Sequence, residues 1–406
     1  MEFQIHVLPN GIKLIHVQVN SPVAHCGFFI NTGSRDEKEK ENGIAHFIEH
    51  LFFKGTKKRK AFHILSRLED VGGELNAYTT KEETCVHASF LKEHYGRALE
   101  LINDIIFNST FPEKAIESER EVILDEINSY KDNPSELIFD DFEEYFFNNH
   151  GLGRNILGTS KRLKKIRRDD IMNFINCNYN TDQMVLASVG NISFNRLVYW
   201  FEKYFNQITN NLRSFERPTF NSYKPFNLTV RKGTFQVNSI IGNLGYSFKD
   251  TRRMGLHLLT NIIGGPGMIS RLNLALRERN GYSYNIESSY SPYSDTGLFT
   301  VYFSTDKVYL DKCFDVIFKE FELLRNKRLG DIQLKKAKKQ IVGQIAISYE
   351  SNENQMLSLG KSLLVYDKVD SIAEIVSKIE SITSQELMDI ANDVLCQKQL
   401  STLIYK

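Results

Sequence analysis

Cysteine is scarce in this sequence, with five residues in a chain of 406. The number is odd, the residues are widely spaced, and no CxxC pair occurs. These features argue against a disulfide framework and against a zinc site built from thiolates, and they favour a reducing compartment. The positions are Cys26, Cys85, Cys177, Cys313 and Cys396.

An excess of charge of one sign is also missing, since 51 Lys and Arg residues face 50 Asp and Glu residues, for a formal net charge of +1. Such a balanced chain gives no reason to expect a nucleic-acid or membrane partner. Two basic runs, 57–60 and 161–168, leave a nucleic-acid-binding protein as a minor alternative, but no aromatic residues interleave the longer run.

Long apolar runs are lacking as well. The segment 14–34 carries no formal charge, yet Asn20, Pro22 and Asn31 make it a poor membrane span. It is better explained as two strands interrupted near Pro22. The first residues show no basic stretch followed by an apolar one, so we expect neither a signal peptide nor a transit sequence and predict a cytoplasmic location.

Hydrophobic residues make up 41% of the chain and charged residues 25%, a composition typical of a globular protein. The length exceeds what one ordinary core accommodates and suggests two domains of roughly 200 residues. The order of predicted elements supports this division. A strand pattern and two long helical patterns near 84–130 return near 298–348, which indicates a duplicated domain rather than a solenoid.

Between the two halves, 211–226 contains Pro218 and Pro225 among polar residues without a clear period, as linkers often do. We therefore predict an N-terminal domain at 1–210 and a C-terminal domain at 227–406. Each is expected to be α+β, with helices packed on a mixed, mostly antiparallel sheet.

The first half contains a candidate metal motif, His46-Phe47-Ile48-Glu49-His50. On a helix, His46 and His50 leave the same face at i and i+4, so both imidazoles can contact one ion. Glu49 stands beside that face, where a carboxylate can accept a proton from water. This is the inverted H-x-x-E-H pattern of zinc peptidases, although two chance histidines on a helix remain the alternative.

A catalytic zinc site needs a third protein ligand and one open position. On the helix predicted from residue 113, Ile116, Ile123 and Tyr130 form half of an inward seam, and Glu119 and Glu126 occupy the other half. Carboxylates that face a core need partners, and a zinc ion would supply one. The alternative is that both glutamates lie on a solvated face.

The combination of His46, Glu49 and His50 with Glu126, 76 residues later, resembles peptidase family M16, the pitrilysin/insulysin metallopeptidases. The likeness is to the subfamily of the mitochondrial processing peptidase β subunit and small bacterial homologues. It implies that His46, His50 and Glu126 bind one zinc ion, that Glu49 is the general base, and that Glu119 supports the site. Further matching stretches are 72–79 and 152–158.

The same resemblance extends to the second half. It implies that Arg277 and Tyr284 hold the substrate and that Tyr284 also stabilises the tetrahedral oxyanion. Without the family, a surface arginine and a strand tyrosine would be the simpler explanation. The second half has no H-x-x-E-H motif, so we expect one zinc ion per chain.

Glu136 and Asp140 lie four residues apart on a predicted helix, which puts both carboxylates on one face. In the related β subunits, acidic residues at these offsets receive an arginine near the cleavage point. The resemblance thus implies a preference for a basic residue beside the scissile bond. The alternative is a solvated acidic face, since Asp141, Glu143 and Glu144 are close by.

The resulting hypothesis is a zinc endopeptidase whose two domains form a clamp around a chamber for short or unfolded peptides. The peptide is expected to pair with the strand edge at Asn76, Ala77 and Tyr78. We expect a homodimer, because one chain carries all the site residues and needs no different partner. The main alternative is a non-catalytic subunit of the same family, against which the intact zinc set argues.

Overall fold

A computed structural model describes residues 2–406. The strands run β1 Gln4–Val7, β2 Lys13–Gln18, β3 Val23–Ile30, β4 Glu74–Thr79, β5 Thr84–Leu91, β6 Met184–Gly190, β7 Asn227–Val230, β8 Val237–Gly245, β9 Ser283–Pro292, β10 Gly297–Thr305 and β11 Ser401–Tyr405. The α-helices run α1 Ile44–Leu51, α2 Ala61–Glu69, α3 Tyr95–Phe107, α4 Glu113–Lys131, α5 Pro134–Phe146, α6 Ser160–Leu163, α7 Arg168–Asn178, α8 Phe194–Phe205, α9 Arg253–Gly264, α10 Leu310–Asn326, α11 Asp331–Tyr349, α12 Asn352–Tyr366, α13 Ile372–Ser381 and α14 Ser384–Val394.

The strands form two sheets with one shared topology. The first has the order β1-β2-β6-β3-β5-β4, and the second has the order β7-β11-β8-β10-β9. In each, one pair is parallel, β2 with β6 and β7 with β11, and the next three pairs are antiparallel. Strand β1 is an addition to the first sheet. The matching order confirms two homologous α+β domains with mixed, mostly antiparallel sheets.

The chain folds into two compact units. Unit 1 contains the chain up to Asn128, 154–217 and 347–369, and unit 2 contains 129–153, 218–346 and 370–406. These units differ from the contiguous ranges 1–210 and 227–406 predicted above, because each takes one helical segment from the other half of the chain. Helix α5 packs on β8 and β11 of unit 2, and helix α12 packs on β3 and β6 of unit 1.

Burial explains why these two helices pack where they do. Ile138, Phe142 and Phe146 of α5 are buried in one cluster with strand residues of unit 2, and Met356 of α12 is buried in a cluster of unit 1. Close approach requires glycine at the contact. A Cβ at Gly242 would lie 2.7 Å from the Phe142 ring, nearer than real Cβ contacts allow.

The segment 211–226 contains no helix or strand but is attached at both ends. Arg217 donates two hydrogen bonds to the buried Asp36, at 2.8 Å each, and one to the Asn31 carbonyl at 3.0 Å. Further on, the backbone N–H of Phe220 donates to Asp295 at 2.7 Å. The stretch predicted as a linker is therefore held to unit 1 up to Arg217 and to unit 2 from Phe220.

Two local features complete the description. A π-helical turn lies at Asn273–Glu278, and the N–H of Arg279 after it donates to the Leu274 carbonyl at 3.1 Å. Such turns insert one extra residue per turn and often occur at functional positions. No helix within residues 2–406 is long and apolar enough to cross a membrane.

The packing of α12 yields a stability prediction. Met356→Ala removes a fully buried side chain from unit 1 and should lower its free energy of unfolding by about 2–5 kcal/mol. Trp200, the single tryptophan, lies on α8 in the same unit, so its fluorescence reports the transition in urea. Ile347→Ala, at a side chain 75% exposed, is the control. An unchanged urea midpoint of the Trp200 fluorescence transition in Met356→Ala would contradict the assignment of α12 to this core.

Candidate active site

Helix α1 carries the predicted motif, and a close backbone contact positions its start. Gly43 precedes the helix with φ +96°, a left-handed conformation that favours glycine. A Cβ there would lie 2.8 Å from the Leu157 carbonyl oxygen and 3.0 Å from the Gly158 Cα. The segment at 155–158, which matched the family in sequence, therefore packs directly against the beginning of α1.

The N-terminus of α1 is capped by Glu37, a residue that the sequence interpretation missed. Its carboxylate accepts hydrogen bonds from the N–H of Gly43 and of Ala45, at 2.9 Å each, and from the Asn42 side chain at 3.0 Å. Glycine at the cap position has no side chain for this purpose, so an acidic residue a few positions upstream was the available signal. Burial raises the pKa of Glu37 to about 7, despite these donors and the nearby Arg154.

The two histidines of α1 converge with one carboxylate of α4. Glu126 Oε2 lies 3.9 Å from His46 Nε2 and 3.7 Å from His50 Nε2. Two atoms bound at about 2.0–2.1 Å to one tetrahedral zinc ion are roughly 3.3–3.4 Å apart. The two observed separations are a few tenths of an ångström longer than this value, so small side-chain movements bring the three atoms to one ion.

The charge state of His46 also fits a metal. Burial, and next the neighbouring His50, lower the pKa of His46 to about 4. The imidazole is thus neutral at physiological pH, which is the form that binds a metal ion. Two imidazoles and one carboxylate form the donor set of catalytic zinc sites. The residues present fit zinc as the cofactor.

Glu119 lies directly beside this group. Its side chain is 7% exposed, and Oε2 lies 3.3 Å from His50 Nδ1, the ring nitrogen that faces away from Glu126. The other oxygen, Oε1, lies 2.7 Å from Lys54 Nζ. The sequence interpretation did not identify Lys54 as a partner of Glu119. Its position one helical turn after His50 was the available signal. Together they orient the His50 ring and compensate the buried charge of Glu119.

Glu49 stands on the same helix and is suited to accept a proton. Burial, more than any other factor, raises the pKa of its carboxyl group above the ordinary value; Thr79 and His50 oppose this shift, and the charge of Glu126 adds to it. A higher pKa makes the carboxylate a stronger base. Its Oε2 atom is buried and has no hydrogen-bond partner within residues 2–406.

Strand β4 lies against this helix and forms an edge. Helix α1 packs on β4, and β4 pairs with β5 through the registers Asn76 with His87, Ala77 with Val86 and Tyr78 with Cys85. On its other side, no strand of residues 2–406 pairs with it. The backbone of Asn76, Ala77 and Tyr78 thus belongs to an edge that can accept an additional strand.

The remaining predicted site residues belong to unit 2. Arg277 lies in the π-helical turn, where its Nε is 3.6 Å from Glu278, and Tyr284 lies on β9 with 72% of its surface exposed. Glu136 and Asp140 lie on α5. The metal-binding group belongs to unit 1, so the substrate-binding roles of these residues stay predictions.

Comparison with known proteins decides the family. Residues 14–160 match the family described as insulinase, peptidase family M16, and residues 165–341 match the peptidase M16 inactive domain. This chain belongs to peptidase family M16. His46, His50 and Glu126 all lie within the first match, and strands β8, β9 and β10 of the second sheet lie within the second match.

Relatives of the M16 chain include proteins named as zinc proteases. An uncharacterized zinc protease of Bacillus subtilis, YmxG, is 32% identical over 401 residues, covering 97% of this chain and 96% of the relative. The mitochondrial-processing peptidase subunit beta of Saccharomyces cerevisiae is 30% identical, covering 97% and 89%. A solved protease from Helicobacter pylori has the same fold, with a TM-score of 0.92 at 21% identity and coverage of 100% and 99%.

The metal-binding group generates the next prediction. His46→Ala, His50→Ala and Glu126→Ala should each abolish zinc retention, because an undercoordinated ion dissociates. Glu119→Gln should weaken zinc affinity by about 10–100-fold, since it acts through His50. Glu121→Ala, an exposed position on the same helix, serves as the control. Zinc per chain after dialysis is the measurement, and full occupancy in Glu126→Ala would contradict the assignment.

Glu37 gives a second prediction at this site. Glu37→Gln replaces an acceptor by a group that presents an N–H to backbone donors, so at least one buried donor of α1 loses its partner. The free energy of unfolding should fall by about 1–3 kcal/mol. Glu39→Gln is the control, because its side chain is 83% exposed. Equal urea midpoints for both variants would show that Glu37 does not cap α1.

Proposed function

We propose that this protein is a zinc endopeptidase. The observation that carries the proposal is the convergence of His46, His50 and Glu126 beside Glu49, whose carboxyl group is a strengthened base. The complete ligand set argues against a non-catalytic subunit. Membership of family M16 and relatives named as zinc proteases support the same reaction class.

Each residue of the group has a distinct task in peptide hydrolysis. A zinc ion held by His46, His50 and Glu126 would supply Lewis acidity to a water molecule and to the scissile carbonyl. Glu49 takes a proton from the water and delivers it to the leaving amine. Glu119, held by Lys54, keeps the His50 ring in the orientation that directs Nε2 toward Glu126.

The substrate is proposed to bind as an added strand. The unpaired edge of β4 at Asn76, Ala77 and Tyr78 offers backbone hydrogen bonds to an extended peptide, beside the helix that carries Glu49. A folded protein offers few segments of this kind. We therefore propose short or unfolded peptides as substrates, enclosed in a chamber as the family resemblance implies.

Unit 2 is proposed to contribute to substrate binding. By the family resemblance, Arg277 and Tyr284 hold the peptide, and the Tyr284 hydroxyl donates a hydrogen bond to the developing oxyanion. Tyr284 is largely exposed, so its hydroxyl can reach a ligand. The homodimer and the cytoplasmic location also stay predictions.

The base is tested by Glu49→Gln. The variant retains all three zinc ligands, so zinc content should stay at wild-type level while kcat falls by about 100- to 10,000-fold. Cleavage of a mixed peptide library, with and without a chelator, provides the activity readout. Glu117→Gln, at an exposed position of α4, should behave as wild type. Undiminished hydrolysis by zinc-loaded Glu49→Gln would refute the proposed mechanism.

A preference for arginine near the scissile bond is the more specific proposal. It is supported by the i,i+4 placement of Glu136 and Asp140 on α5, and Glu136 is exposed. Two carboxylates on one face suit the planar guanidinium of arginine.

The corresponding test uses paired peptides that differ by arginine or norleucine at one position. Wild type should cleave the arginine peptide with a kcat/KM higher by about 10-fold or more. The double variant Glu136→Gln/Asp140→Asn should lose this difference, and Asp132→Asn, at an exposed position before α5, should keep it. Equal wild-type rates on both peptides would end this hypothesis while leaving the zinc mechanism intact.

A further inference from the structure

A cavity of about 640 Å³ lies within unit 2, apart from every residue assigned above. Its walls come from the end of α9, the π-helical segment, α10 and the first half of α11. The volume is within the range of small-molecule sites, roughly 300–1,000 Å³. Neither the proposed peptidase reaction nor the family assignment uses this cavity.

Cationic side chains outnumber anionic ones in its lining. Arg271, Arg279, Lys336 and Lys339 all line the cavity, whereas Glu320 is its one acidic lining residue among those the structure describes. Arg271 Nε donates to Glu320 Oε2 at 2.8 Å, which fixes this guanidinium in the wall. The excess of positive charge contrasts with the near-neutral chain as a whole. An anion is the ligand that such a lining favours.

A buried amide supplies an independent observation. Asn261, on α9, lines the cavity and is 8% exposed. Its Nδ2 atom has no hydrogen-bond acceptor in the part of the chain that the structure describes. A buried donor without an acceptor is costly. Nδ2 is out of contact with solvent, so it donates to a ligand oxygen only after the Asn261 side chain rotates toward the cavity.

The cavity also has an apolar wall. Ile262, Leu274 and Leu329 line it, together with the small side chain of Ala337. Inorganic anions gain nothing from such a surface, whereas the carbon skeleton of an organic anion can pack on it. The lining thus favours an organic anion with several charged oxygens.

The cavity lies among helices that correspond, by their order along the chain, to the helices of the metal-binding group. Helix α9 follows β8 as α1 follows β3, and α11 follows β10 and α10 as α4 follows β5 and α3. The equivalent helices of the two units therefore carry different side chains, and those of unit 2 line the cavity.

We propose that this cavity is a binding site for a small organic anion with two or more phosphate or carboxylate groups. Arg271 and Arg279 contribute planar guanidinium donors that suit these oxygens, and Lys336 and Lys339 contribute mobile charges at the rim. Asn261 donates to one further oxygen. The site is separate from the peptidase proposal, because none of these residues belongs to the zinc group or to the proposed peptide-binding set.

Calorimetric titration of the zinc-loaded full chain tests the proposal. Fructose 1,6-bisphosphate is the phosphate probe, succinate is the carboxylate probe, and uncharged fructose is the ligand control. At least one anionic probe should bind saturably with one site per chain, and its affinity should fall as salt concentration rises. The two anionic arms distinguish a phosphate ligand from a carboxylate ligand.

Two variants localise the binding. Lys336→Gln/Lys339→Gln removes two lining charges at exposed positions. The affinity for the probe should fall by about 10-fold or more. Lys335→Gln, at an exposed position of the same helix that does not line the cavity, should bind as wild type. Without ligand, the double variant and Lys335→Gln should have equal melting temperatures.

Two results would overturn the inference. One is the absence of saturable binding by either anionic probe at millimolar concentration. The other is equal affinity of wild type and Lys336→Gln/Lys339→Gln, which would place the bound anion elsewhere. Zinc content and peptide hydrolysis are measured on the same preparations. They distinguish a failure of the anion-site proposal from a failure of the proposed peptidase function.

Discussion

The convergence of two imidazoles on one carboxylate is the constraint on which the rest of this site depends. Helix α1 has only eight residues, yet it carries His46, Glu49 and His50. A helix this short is not stable alone and must be held by its surroundings. Glu37 holds its beginning, and Lys54 with Glu119 holds its far end. The ligand distances to Glu126 follow from these attachments.

Low exposure links the charge states of the site to its chemistry. The same burial that keeps His46 neutral makes Glu49 a stronger base. In open water both residues would titrate near ordinary values, and neither effect would arise. Glu119 is more buried still, and its two partners compensate its charge. The site therefore combines a neutral ligand, a strengthened base and a paired support carboxylate within two helices.

The two units share one duplicated fold but carry different groups of side chains on it. Both sheets have the same order of one parallel and three antiparallel pairs. In unit 1, the helices on this sheet carry the metal-binding group. In unit 2, the equivalent helices carry a basic cavity lined by Lys336 and Lys339. One scaffold thus supports different chemistry where different side chains face the space between the helices.

The local spacing of His46 and His50 was sufficient to predict a shared metal-binding face, because residues four apart share a face of any helix that contains them. The strand at Thr84–Leu91 and the helix from Glu113 were predictable for the same reason, since periodicity reports local geometry. Glu126 needed the seam pattern together with the family resemblance, because it lies 76 positions after His50 and no local spacing rule applies over that distance.

Only the tertiary structure decided the contacts between distant segments. Glu37 as a cap, Lys54 as the partner of Glu119, and Asn261 in a basic cavity all depend on which elements meet. The same holds for α5 and α12, because the residues of each helix do not identify which sheet buries Phe142 and which buries Met356. Gly242 opposite Phe142 decides one of these packings. A sequence specifies such a fit only through the complete chain, because close packing is a property of surfaces assembled from distant residues.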